Sequence, residues 1–149
     1  MAEKDLIIGA FSNYDFEVLK PWIKSIRNCN FTGDVVLIAV DASPEMIQQI
    51  REEGIIVVSV KNEQKMMIHM LRFLHIHNFL KQHGSNYRYV ITTDVRDVVF
   101  QVDPSLWLEY NATHPLIVQS EAIRIKDEPW NRENIIRNYG QYFYEVVLQ

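Results

Sequence analysis

Continuously apolar runs alternate with longer mixed stretches along this chain. Residues 5–11 (DLIIGAF), 34–40 (DVVLIAV), 55–60 (IIVVSV), 89–93 (YVITT) and 115–119 (PLIVQ) are rich in β-branched side chains and have few polar interruptions. A strand with one wet face alternates apolar and polar positions, so these runs read as strands covered on both faces, the pattern of a parallel sheet. The intervening segments carry helix punctuation. Ser43 and Pro44 supply an N-cap and a proline at the first helical position, and Gly54, Gly84 and Gly140 stand where helices should stop. The order strand, helix, strand, repeated, predicts an α/β sandwich with a mostly parallel central sheet and helices on both faces.

The helix predicted over residues 64–83 (QKMMIHMLRFLHIHNFLKQH) is apolar around most of its circumference and should be buried on more than one side. At about 100° per residue, His69, His75 and His77 point in different directions and cannot converge on one metal ion. Arg72 on so apolar a helix either snorkels to solvent or needs an anionic partner from the protein or a ligand.

Composition narrows the picture. A chain of 149 residues is one domain by length and can bury a core without covalent staples. Its single cysteine, Cys29, forms no intrachain bridge, and no Cys/His spacing suits a structural zinc, which points to a reducing, cytoplasmic setting. The formal net charge of −4 argues against sequence-independent binding to nucleic acid. No apolar run approaches the roughly 18 residues needed for a membrane span, and the amino terminus lacks the pattern of a secretory leader. The Asn30 and Asn111 sequons therefore read as chance.

In open α/β sheets, ligands bind beyond the carboxyl ends of the strands. Those ends offer Ala10, Phe11, Ser12 and Asn13 after the first strand, Asp41 after the second, and Thr93, Asp94, Val95, Arg96 and Asp97 after the fourth. Neither a dinucleotide glycine fingerprint nor a P-loop is present. Phosphates would need another holder, and a hard cation such as Mg²⁺ or Mn²⁺ on one or two carboxylates provides it. Asp94 and Asp97 fit that need, although a D-x-x-D alone equally describes a turn residue beside a surface salt bridge.

The run YVITTDVRDVVFQ from Tyr89, followed by Asp103 and Pro104, resembles the metal-binding "DxD" region of GT-A-fold nucleotide-sugar glycosyltransferases. It is similar in particular to amino-terminal domains of multidomain viral proteins whose motif reads Asp-hydrophobic-Arg-Asp-hydrophobic-hydrophobic-Phe-Gln. The first-strand loop from Gly9 to Asn13 and the helix bearing Arg72 and Phe73 are similar as well. The resemblance implies a GT-A, Rossmann-like fold and a metal-dependent transfer of sugar, most simply from a UDP-sugar, to a glycan or other hydroxyl acceptor. It implies that Ala10, Phe11, Ser12 and Asn13 line the nucleotide pocket, that Asp94 contacts ribose or metal, that Asp97 coordinates Mn²⁺ or Mg²⁺, and that Arg72 orients an acid or touches the donor. Arg96 stands where a plain DxD has its second carboxylate, which leaves the division of labour between the two acids open.

Such domains continue past residues 128–132 into an acceptor-binding part, whereas this sequence ends nine residues after Gly140. That part is therefore expected to be incomplete here, with further domains of the same polypeptide as natural partners. Glu121 is the remaining carboxylate near the expected sugar position. Two rivals stand beside transfer: another metal-dependent nucleotide or phosphate enzyme, and a non-catalytic nucleotide-sugar-binding domain. Neutralising Asp94 is expected to weaken binding and leave the fold intact or slightly stabilised, because two carboxylates repel in an empty site.

Overall fold

The computed structural model describes residues 4–63, 65–119 and 123–147. It gathers the chain into two compact units, Met1–Ala112 and Thr113–Gln149. The first contains β1 (Lys4–Ser12), α1 (Phe16–Asn28), β2 (Asp34–Val40), α2 (Pro44–Glu52), β3 (Ile56–Val60), α3 (Ile68–His83), β4 (Tyr87–Thr92) and α4 (Pro104–Asn111). The second holds α5 (Pro129–Tyr139) and α6 (Gln141–Val147). No helix among the described residues is long and apolar enough to cross a membrane.

The strands form one sheet in the order β3-β2-β1-β4, and every pairing is parallel, as the continuous apolar runs predicted. One face packs Ile7, Phe11, Leu37 and Ala39 against Leu19, Trp22, Ile23 and Ile26 of α1 and Ile50 of α2. The other packs Leu6, Ile8, Val36, Ile38 and Val40 against Leu71 and Ile76 of α3. Period-two alternation along β1 and β2 thus feeds both cores. Full burial of each such side chain contributes about 1.5–3 kcal/mol, so these two strands hold the unit together.

The capping signals work as read. Ser43 Oγ accepts from the Met46 amide at 3.2 Å with Pro44 in the first turn, and Gly54 follows α2 at φ +73°. Gly140 ends α5 at φ +86°. Gly84 differs: its φ of −59° is right-handed, and the chain tightens into a short 3₁₀ turn at Gly84–Asn86 instead of reversing there.

Three expectations need correction. Residues 116–119 have no regular secondary structure, and Leu116, Ile117 and Val118 are exposed, so the predicted fifth strand is not formed. An apolar run becomes a strand only where a partner edge satisfies its backbone. β3 and β4, both read as covered on both faces, lie at the two edges of the sheet, and the exposure of Ile56 and Val90 shows that each is only partly covered. The α3 helix starts at Ile68, and within it only Leu71 and Ile76 are buried while Met70, Phe73 and Leu74 are exposed. Its apolar circumference therefore exceeds what the sheet covers.

Candidate functional site

The site follows from a mismatch in strand length. Ile8 of β1 is paired with Thr92 of β4, and the Thr93 amide donates to the Ile8 carbonyl at 3.2 Å. There β4 leaves the sheet, while β1 continues beside β2 until Ser12 meets Val40. Since the chain winds from β1 through β2 to β3 on one side and places β4 on the other, the crevice between β1 and β4 is the switch point of the sheet.

Residues 93–97 turn across β1 at Gly9. A Cβ at Gly9 would lie 2.3 Å from Val95 Cγ1 and 3.3 Å from the Thr93 carbonyl oxygen, so the turn sits where only a glycine leaves room. Val95 is buried and joins the core with Trp22 and Phe11. The Trp22 indole N–H donates to Thr93 Oγ1 at 3.0 Å, and the Phe100 amide donates to Ser25 Oγ at 3.0 Å, tying the start of the turn and the chain just beyond it to α1. Anchored at its middle by an apolar residue, the turn presents Asp94 and Asp97 outward, with side chains 56% and 68% exposed. Both carboxylates are therefore hydrated, although they directly follow an apolar strand.

A cavity of about 200 Å³ opens here. The β1 end supplies Ala10, Phe11 and Ser12, the β4 turn supplies Asp94, Val95, Arg96 and Asp97, and α3 supplies Arg72. Arg72 Nη1 donates to Asp94 Oδ1, which provides the anionic partner that this arginine required. The Phe73 ring lies 4.9 Å from the guanidinium carbon. Arg96 Nη2 stands 3.8 Å from Asp97 Oδ2, a looser pair between two exposed groups. The cavity is therefore nearly charge-balanced, with each acid facing an arginine.

Asn13 and Asp41 line a neighbouring cavity of about 330 Å³ between the starts of α1 and α2, which shares Phe11 and Tyr14 with the first. Both take left-handed backbone, φ 56° and 54°, which Asn and Asp tolerate better than other non-glycine residues. Asp41 Oδ1 accepts from the Asn62 amide at 3.3 Å, with Lys61 Nζ at 3.9 Å. Thr93 lines neither cavity; its hydroxyl faces Trp22. Phe11 is 1% exposed, so its ring belongs to the core more than to any ligand. Glu121 lies outside the described residues.

Tyr14, Ile68 and His69 also line the first cavity, and sequence reasoning passed over all three. His69 precedes Arg72 by one helical turn, a spacing that puts both on one face. That i, i+3 relation is the local signal that places His69 beside Arg72, whereas the spacing of the histidines among themselves carries none.

Among the described residues no group of three or more His, Cys, Asp or Glu side chains converges. Two carboxylates on one cavity suit a hard cation that takes most of its shell from water and substrate oxygens, and fall short of the three or four protein ligands usual for zinc. No protein family, curated protein or solved structure matches this chain.

Proposed function

We propose that this chain binds a nucleoside diphosphate sugar together with a divalent cation and acts in sugar transfer to a hydroxyl acceptor. The observation that carries the reading is the meeting of Asp94, Asp97, Arg72 and Arg96 in one cavity at the switch point of a parallel sheet. Acids for a hard cation and guanidinium groups for phosphate oxygens are the two components that a diphosphate needs. The adjoining cavity, with Tyr14 at the junction and Asp41 at the end of β2, is suited to the nucleoside.

In this reading Asp94 and Asp97 hold Mn²⁺ or Mg²⁺, which when bound offsets the negative charge that develops on the departing diphosphate. Arg72 and Arg96 hold the diphosphate oxygens and orient the donor. Val95 keeps the two acids at a constant spacing because it cannot leave the core without exposing buried apolar surface.

Calorimetric titration with UDP and Mn²⁺ tests the proposal: metal-dependent binding is expected, and its absence would sink the reading. Binding without turnover of any nucleotide sugar would favour a binding-only domain. Asp97→Asn is expected to weaken Mn²⁺-dependent UDP binding by about tenfold or more, since losing even an outer-shell partner of a metal site costs about 10- to 100-fold. Unchanged binding would make Asp97 a turn residue. Asp94→Asn should weaken binding as well. It is not expected to stabilise the fold, because Asp94 faces Arg72 and not an uncompensated acid; a half-exposed pair contributes about 0–1 kcal/mol.

A further inference from the structure

We propose that Arg72 is an exchangeable counter-ion, held by Asp94 in the free protein and passed to the anionic oxygens of the ligand when a divalent cation takes Asp94. The site then accepts a cation and a polyphosphate as a pair and binds either one poorly alone. This rests on the function proposed above and states what its two charges do to each other.

Two observations carry it. Arg72 Nη1 donates to Asp94 Oδ1, so one of the two carboxylates that would hold the cation is already charge-paired. Bringing in a cation without moving the guanidinium would set two positive charges on one acid. Second, Arg72 Nε is buried and has no acceptor among the described residues, although its guanidinium faces the cavity. A guanidinium satisfied along only one edge lacks the forked contact that it makes with phosphate or carboxylate. A ligand oxygen would supply the missing acceptor once release from Asp94 lets the side chain turn its Nε edge toward the cavity. His69, on the same face of α3, and Arg96 are the other basic groups lining the cavity, beside Asp97 and Tyr14, and Arg96 pairs with Asp97 and not with Asp94.

The test is calorimetry on the full chain with Mn²⁺ alone, UDP alone and both, for the native protein, Arg72→Gln and Arg72→Lys. Arg72→Gln should tighten Mn²⁺ alone by about two- to fivefold, the size of a half-exposed ion pair, and weaken UDP in the presence of Mn²⁺ by about tenfold. Changes of opposite sign are the signature, since a merely structural arginine would weaken both. Should Arg72→Gln fail to fold, Arg72→Lys carries the test, with the same two signs and smaller size. If the native protein binds Mn²⁺ with UDP but neither variant gains affinity for Mn²⁺ alone, the exchange is wrong and the function stands. If the native protein shows no joint binding, both fall.

Discussion

Gly9→Ala is expected to cost about 1–3 kcal/mol of stability, the usual penalty for overpacking, and to lower Mn²⁺-dependent UDP affinity at least tenfold. The new methyl would meet Val95 Cγ1 at 2.3 Å, and Val95 is a stiff β-branched residue only 2% exposed, so it cannot swing aside. The turn at residues 93–97 must lift from β1, and Asp94 and Asp97 move with it. Chemical denaturation and calorimetry measure the two effects. Adding Val95→Ala makes the space that the methyl needs. The double variant should therefore lose less stability than the sum of the single ones. Strict additivity would show that the contact does not hold the turn.

The second large effect lies at the opposite end of the sheet. Asp5 is 4% exposed, and its carboxylate accepts from Arg88 Nε at 3.0 Å, Arg88 Nη2 at 2.9 Å and the Tyr89 amide at 3.2 Å. Arg88 also donates to Glu109 at 2.8 Å, which joins β1, β4 and α4. Asp5→Asn places an amide donor among those donors and is expected to destabilise the fold by about 2–4 kcal/mol. Burial pushes the Asp5 pKa up, but the Arg88 and Ser105 hydrogen bonds, the Arg88 charge and the Tyr89 amide outweigh it and hold the carboxyl below the ordinary aspartate value. Since the folded pKa is the lower one, the contribution is fully present above the unfolded value of about 4. It is lost as pH falls through the folded value. The stability gap between native protein and Asp5→Asn should accordingly be constant near neutrality and close below about pH 4. A gap independent of pH down to acid unfolding would contradict the assignment. Ligand binding at the other end of the strands should be unaffected.

Asp5 was legible only as the first residue of a strand, since nothing local marks it as the acceptor for an arginine 83 positions away. Gly9 was likewise visible as part of a loop but not as the floor of a turn. In contrast, Ser43 and Gly54 were read correctly because caps depend on residues within one helical turn. The failures have the same cause from the other side. The run 115–119 is apolar enough for a strand, but strand formation depends on a partner edge that local composition does not specify.

By itself the sequence determined the parallel character of the sheet, the alternation of strand and helix and the place along the chain where acids follow a strand. These rest on local pattern, which selects strand or helix, whereas which faces end up covered depends on the neighbours, as exposed Val90 of β4 and Phe73 of α3 show. The tertiary structure alone decided the strand order, which puts β4 at an edge and opens the crevice beside β1. It alone joined Arg72 to Asp94 across 22 positions and brought Tyr14 and His69 to the same cavity. Charge pairing and cavity shape depend on distances in space, and those exist only once apolar burial has packed the helices onto the sheet.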